Sequence, residues 1–418
     1  MKRALLAGIA GVAALGSAYG QGLYYTSETK ESLPLKWIVG ADLVYDDNVN
    51  PTSGDGEQSA TSINPYVGVS FVSISPQTTW DVYARLGLIY YFDAPSNPIP
   101  GGKDMDDTYT QARVGVDLTH NFNERLRFSS RNFIAYELEP DYAYGFATNR
   151  QSGEYLYWQT DDSIGYRWSE RFATYSGIQL TGLEYDNSVP NADRFTWMIY
   201  NQGRYQLTPQ TVLTAEYRYA QTTGDGLASD STDHYLLAGV EHRFSPTTIL
   251  IARAGAQFHE VDSAGSDNSV SPYVEVALNS QINTAFSVRS FLRYGLENYD
   301  TVRGLPTAGN PVYEFDSRRT LRIGVAGEYA LSQRLSIFGG VDYINTSFDD
   351  GRLVSTPGPD PTKDGLGEDL VNAYIGLSVK LTDFLYGSVS YNHTTSSSDL
   401  LGGDYDRNRY SVGLRAEF

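Results

Sequence analysis

The sequence contains no cysteine, so the chain forms no disulfides, and no lipid can be attached at the small-residue site near residue 20. After its first twenty residues no apolar run approaches the roughly eighteen that a membrane helix needs. Mean hydropathy is low, at -0.36, but this does not exclude a membrane protein, because a membrane strand places only alternate residues on lipid. Basic residues are also scarce: 31 Lys and Arg stand against 50 Asp and Glu, a formal net charge of -19. With no basic stripe, the chain is not expected to bind nucleic acid. There are five histidines, His120, His234, His242, His259 and His393, on different predicted strands and without metal-ligand spacing. No glycine-rich phosphate loop or nucleotide motif occurs. The reading is therefore no enzyme and no cofactor. One Ser–His juxtaposition, His393 beside Ser396 to Ser398, defines a hydrolase alternative in which His393→Ala would abolish turnover.

What the sequence does have is 33 tyrosines, 40 glycines and a length of 418 residues, enough for two or three soluble domains or for one barrel. Residues 1–20 read as an export signal: Lys2 and Arg3, an apolar stretch from Ala4 to Leu15, and Ala18-Tyr19-Gly20 before Gln21. Residues 21–34 read as a short periplasmic leader, and 35–418 as a single transmembrane β-barrel domain.

From Leu35 onward the chain repeats strand, long polar loop, strand, tight turn. The tight turns centre on Ser75-Pro76-Gln77, Asn121 to Glu124, Ser169-Glu170, Thr208-Pro209-Gln210, Ser245-Pro246-Thr247, Asn283-Thr284, Ser332-Gln333 and Thr382-Asp383. Between them lie longer segments rich in Asp, Gly and Pro, at 46–58, 94–106, 139–152, 186–193, 223–231, 262–268, 299–316, 349–368 and 396–404. Eight turns and nine loops make eighteen strands, with sixteen the nearest alternative. The expected fold is all-β: an antiparallel up-and-down barrel of the outer membrane with short periplasmic turns and long extracellular loops. The two longest loops, 299–316 and 349–368, are the expected constriction.

Charge assigns the faces. In Thr79 to Phe92, Trp80, Val82, Leu86 and Leu88 alternate with Asp81, Tyr83 and Arg85. The charged set must face inward, because a cation at the bilayer midplane on the lipid side costs about 2–4 kcal/mol. This rule gives an inner set of Arg85, Arg113, Arg127, Arg131, Arg167, Arg218, Arg243, Arg253, Arg289, Arg293, Arg322, Arg409, Arg415 and Lys380. Interleaved acids are Asp81, Asp117, Glu137, Glu216, Glu241, Glu275, Glu297, Glu328 and Asp342. These are the candidate pore-lining residues. Thr160-Asp161-Asp162 breaks the rule by placing an acid on each face, which predicts a local bulge. Aromatic clusters at strand ends, such as Tyr90-Tyr91-Phe92 and Tyr166 to Trp168, fit membrane-interface girdles, against the alternative of a β-sandwich core.

The segment Asp46 to Glu57 places Asp46, Asn48, Asn50 and Glu57 at positions one, three, five and twelve of a calcium loop, but with Pro51 where that pattern needs glycine. It reads first as a polar loop, with divalent bridging to lipopolysaccharide as the alternative.

The final stretch, YDRNRYSVGLRAEF, alternates Tyr410, Val412, Leu414, Ala416 and Phe418 with polar residues. It resembles the C-terminal insertion signal of bacterial outer-membrane barrels, which implies the barrel assembly machinery as a partner. The segment GADLVYDDNVNPTSGDGEQSATSINPYVGVSF looks like the start of the β-barrel porin 2 proteins of Gram-negative bacteria. Some relatives in that family accompany extracellular polysaccharide systems, so the resemblance implies outer-membrane transport without naming a solute. The resulting expectation is a passive or mildly selective channel for small hydrophilic solutes or ions, with a waist mildly favouring anions, in contact with outer-membrane lipids and lipopolysaccharide. The alternative is a structural or adhesive barrel with a plugged lumen.

Overall fold

The computed structural model describes residues 33–51, 56–94, 105–139, 154–185, 193–224, 230–261, 269–298, 302–304, 312–315, 317–348, 351–353, 362–363, 365–400 and 403–418. The expected export signal, most of the leader, and positions 52–55 of the calcium-like segment lie outside the described residues.

In chain order the strands are β1 (Leu33–Asp46), β2 (Ala60–Ile74), β3 (Thr78–Tyr91), β4 (Thr108–Asn121), β5 (Leu126–Glu137), β6 (Tyr155–Arg167), β7 (Phe172–Tyr185) and β8 (Arg194–Thr208). They continue as β9 (Thr211–Gly224), β10 (Ser231–Ser245), β11 (Thr248–Val261), β12 (Ser269–Gln281), β13 (Phe286–Asn298), β14 (Val302–Gly304) and β15 (Val312–Glu314). The last are β16 (Ser317–Ala330), β17 (Leu335–Phe348), β18 (Gly351–Leu353), β19 (Thr362–Lys363), β20 (Leu366–Lys380), β21 (Leu385–Ser398) and β22 (Tyr405–Glu417).

Eighteen of these form one sheet in which each strand pairs antiparallel with the next. The sheet closes where β22 meets β1, from Ile38 opposite Glu417 to Asp46 opposite Arg409. Closure leaves no strand edge unpaired. The short strands β14, β15, β18 and β19 form a separate four-stranded sheet that joins the two longest loops to each other. The expected strand count and all eight tight turns are observed. β1 starts at Leu33, two residues earlier than the alternation predicts, and β20 starts at Leu366, inside the expected loop.

The turns form where they do because their side chains supply the hydrogen bonds that a hairpin end lacks. Asn123 Oδ1 accepts from the backbone N–H groups of Arg125 and Leu126, and Asn283 Oδ1 does the same for Ala285 and Phe286. Ser75, Ser169, Ser332 and Thr382 each accept from the N–H three residues on.

The alternation sorts the wall into two faces. Leu86, Leu236, Ile375 and Val412, each more than half exposed, represent the outer band. On the inner face many aromatic rings lie flat over a glycine of the neighbouring strand, and this accounts for much of the sequence's Tyr and Gly content. At Gly40 of β1 an added Cβ would stand 2.5 Å from Tyr66 Cζ and 2.9 Å from the Leu414 carbonyl oxygen, with backbone on one side and a ring on the other. Gly40→Val is therefore expected to destabilise the barrel by about 1–3 kcal/mol, read as a lower urea midpoint for loss of the folded, heat-modifiable band.

The bulge expected at Thr160-Asp161-Asp162 is absent. Both seams of β6 run in unbroken register, so Asp161 faces inward opposite Arg131 while Asp162 faces outward opposite Ser130. The acid on the outer face is part of the regular strand.

Candidate functional site

Side chains on strands that are not neighbours can meet only across the concave side of a barrel, and such contacts identify the inner wall. Arg218 of β9 donates to Glu275 of β12 at 3.1 Å, past β10 and β11. By register, every charged residue of the predicted inner set shares this face. On the β1–β5 side these include Arg85 opposite Arg113, Asp81 opposite Asp117, Asp117 opposite Arg131, and Arg127 opposite Asn121. On β13 and β16 they include Arg293 opposite Arg322, Glu328 opposite Ser287, and Arg289 opposite Ala326. Arg167, Arg243 and Lys380 lie toward the short-turn end of the same face.

The structure adds an organisation that alternation could not supply: many of these charges are drawn into clusters along the wall. Arg204 donates to Glu241 at 2.8 Å and to Gln202. Arg253 lies among Glu216, Glu241 and Glu275, and Arg218 bridges Glu216 at 2.5 Å to Glu275. Glu275 also accepts from the Tyr273 hydroxyl at 2.8 Å. A second cluster centres on Glu297, which accepts from Arg293 at 3.3 Å, Arg318 at 3.2 Å and Arg322 at 2.8 Å. On the other side of the barrel Arg113 forms a bidentate pair with Glu137 at 2.7 and 2.6 Å. Several of these side chains are almost wholly buried: those of Arg204, Arg253 and Arg322 are each 2% exposed. They lie along the wall and cover one another.

A few cations remain open to the lumen. Arg85, with its side chain 48% exposed, rests its guanidinium 3.8 Å over the Tyr66 ring, and that ring lies on Gly40. Asp42 is 3.6 Å away. Arg293 is the other well-exposed member, at 38%. From β17 through β21 the inner face is mostly neutral and polar, with Asn372, Asn392, Thr394 and Ser390 hydrogen-bonding among themselves and to β22.

The two longest loops form the small outer sheet, with Tyr313, Phe315, Phe348, Leu366 and Leu400 packed beneath it. A different segment leans inward from the wall. Immediately after β5, Leu138 buries itself against Val49, Ile89, Tyr91 and Tyr109, and Glu139 accepts from Arg407 at 2.7 Å and Arg409 at 3.0 Å on β22. Four strands, β1 to β4, separate β5 from β22 along the wall, so Leu138 and Glu139 form a short strap that bridges this part of the rim. Loop length does not signal the strap, which depends on one carboxylate meeting two distant guanidiniums; much of the two loops expected to form the constriction, 299–316 and 349–368, lies outside the described residues. Arg204, Arg318, Arg407, Asp42, Asp46 and Glu139 were not among the predicted charges.

Asp46 and Asn48, from the calcium-like spacing, are engaged differently. Asp46 accepts from Arg407 at 3.0 and 3.1 Å and from the Asn48 backbone, while Asn48 Nδ2 donates to the Asp406 carbonyl. Asn50 is partly buried and Glu57 exposed, and among the described residues no cluster of three or more metal-ligating side chains forms. His393 faces outward and its Nδ1 pairs with Asn408 at 2.9 Å; Ser396 and Ser398 face inward opposite Leu370 and Glu368, and Ser397 shares the outward face but stands four residues along the strand, about 13 Å away. The hydrolase pairing is thus not assembled. Tyr410, Val412, Leu414 and Ala416 lie on the outer face of β22; Phe418 exchanges backbone hydrogen bonds with Trp37 and stacks 5.9 Å from Phe384.

Neither a family model nor a curated protein matches the chain. Among solved structures it is similar to the outer membrane protein OpdK of Pseudomonas aeruginosa, at 14% identity, a TM-score of 0.45, and coverage of 92% of this chain and 99% of that one. It is similar also to OccAB4 of Acinetobacter baumannii (13%, TM-score 0.44, covering 93% and 99%) and to OccK8 (OprE) of P. aeruginosa (12%, TM-score 0.41, covering 92% and 98%). The fold assignment stands on the closed strand ladder itself.

Proposed function

We propose that the chain is a porin-like channel of the Gram-negative outer membrane, passing small hydrophilic solutes or ions without catalysis. The observation that carries the reading is the two-faced closed wall: an apolar, aromatic outer band against an inner face built from Arg, Glu, Asn and Tyr. Such a wall is stable only with lipid outside and water or polar cargo inside. A barrel of eighteen strands is too wide for side chains of one face to fill completely. Passing ions sense Arg85, and Arg293 at the exposed edge of the three-arginine Glu297 cluster, more than the buried group of Arg204, Arg218 and Arg253, which three glutamates match in charge. The pore-lining role therefore concentrates on Arg85 and Arg293 within the inner set. Tyr410, Val412, Leu414, Ala416 and Phe418 fit the role of an insertion signal read by the assembly machinery. A link to extracellular polysaccharide is supported by the opening segment's resemblance alone.

One observation favours a second reading, a structural barrel with a closed lumen: the strap and the apolar clusters at the outer mouth narrow the passage. Single-channel recording of the refolded protein in a planar bilayer separates the two. Stepwise conductance with an anion-biased reversal potential is expected, and Arg85→Glu is expected to move that potential toward cations. An inserted barrel with no conductance would overturn the channel reading.

A further inference from the structure

Among the described residues the outer face is mainly apolar at mid-height, interrupted singly as by Ser290 of β13, and a polar patch that runs across strands lies on four adjacent ones. There Ser130 and Asn132 of β5, Thr160 and Asp162 of β6, Ser176 of β7 and Asn201 of β8 share the outward side in continuous register. Asp162 is the eighth residue of β6, near the middle of the span. The other outward acids among the described residues, such as Glu184, Glu260, Asp369 and Asp406, lie within four residues of a strand's extracellular end, at headgroup level. No cation pairs with Asp162 among the described residues; its Oδ2 accepts only from the Thr160 hydroxyl, at 2.9 Å. Asn132 donates to Ser130 at 3.0 Å, and Ser176 donates to Asn201 Oδ1 at 2.6 Å. With its oxygen occupied, Asn201 has its amide N–H groups left to donate, and they have no acceptor among the described residues. Hydrocarbon offers neither a donor to the carboxylate nor an acceptor to the amide, so both are costly against lipid.

We infer that this patch is an interface with a second copy of the same chain, arranged about a two-fold axis along the membrane normal beside Ser176 of β7. Such an axis sets β6 of one copy opposite β8 of the other. Each Asp162 carboxylate then receives the other copy's Asn201 amide, twice over by symmetry, and the two Ser176 residues face each other. The patch carries its acceptor and its donor on opposite sides of β7, so it complements itself. Elsewhere the described outer face offers no comparable patch at that height for a head-to-tail contact, which favours a closed pair over a ring. The inference rests on the reading of the outer band as lipid-facing.

The chain has no cysteine, so a single introduced thiol reports cleanly. Under mild oxidation in native membranes, Ser176→Cys is expected to yield a disulfide-linked pair of this chain. Ile375→Cys, on the outer face of β20 nine strands away, is expected to yield none. In mild detergent, native mass spectrometry is expected to show two copies for the unmodified protein and one for Asp162→Leu, with both retaining the heat-modifiable folded band. Equal cross-linking at both positions, no cross-link from a maleimide-reactive Ser176→Cys, capture of a different chain, or an Asp162→Leu protein that stays paired would each overturn it. A chain that fails to insert sinks the channel reading first; an inserted, conducting barrel without the cross-link sinks only the pair.

Discussion

Glu297→Ala is expected to lower the unfolding free energy of the barrel by about 3–5 kcal/mol, the loss typical when one partner of a buried ionic cluster is removed. Glu297 is the carboxylate shared by Arg293, Arg318 and Arg322, and the side chains of Arg318 and Arg322 are 8% and 2% exposed. Without it three guanidiniums converge with nothing of opposite sign between them, on strands that must remain paired for the barrel to close. Glu297→Gln keeps the volume and one acceptor and is expected to fall between the two. Lys380→Ala serves as the control, since its ion pair with Asp383 is solvent-exposed and its removal is expected to leave stability unchanged. Urea titration of the folded band for the three variants checks the order; a Glu297→Ala midpoint equal to the control would show that the cluster carries no stability.

The second large effect is on passage. Arg407, 1% exposed, holds Asp46 through Nε at 3.0 and 3.1 Å and Glu139 through its two terminal nitrogens at 2.7 and 3.0 Å. It pins the strap after β5 to β22, across the four strands that lie between them. Arg407→Ala leaves Asp46 and Glu139 facing each other with Arg409 as the remaining cation on Glu139, and their repulsion, added to the lost hydrogen bonds, loosens Glu139 from the wall. The expected result is a larger single-channel step with more frequent substate transitions. Glu139→Ala is expected to enlarge the step in the same direction while leaving Asp46 paired, so it loses less stability. If both variants conduct like the unmodified protein, the strap does not limit passage. Because Leu138 stays buried, the change should be confined to the mouth and leave selectivity set by Arg85 intact.

The turns were legible because each is written in local chemistry: a Ser, Thr or Asn whose side-chain oxygen takes the next free N–H, as at Asn123 and Asn283. The facing of the charges was legible because a strand has period two and lipid does not tolerate an arginine. At Asp161 and Asp162 the same rule misled. An acid on each face was read as a local bulge, yet the register is unbroken, since a strand can also keep an outward acid if something other than lipid meets it. The strap could not be read at all, because Glu139 and Arg407 are 268 residues apart and nothing along the chain links them.

The sequence by itself determined the barrel: period-two alternation, turn residues at short intervals and mid-span arginines confined to one face leave few other ways to satisfy the backbone in a membrane. Only the tertiary structure decided which charges remain available. Curvature brings Arg218 to Glu275, where charges are matched, and gathers three arginines on the single carboxylate of Glu297, while Arg85 stays open on its tyrosine. Pairing on the inner wall depends on distances across a closed surface, and a linear pattern of alternation carries no information about those distances.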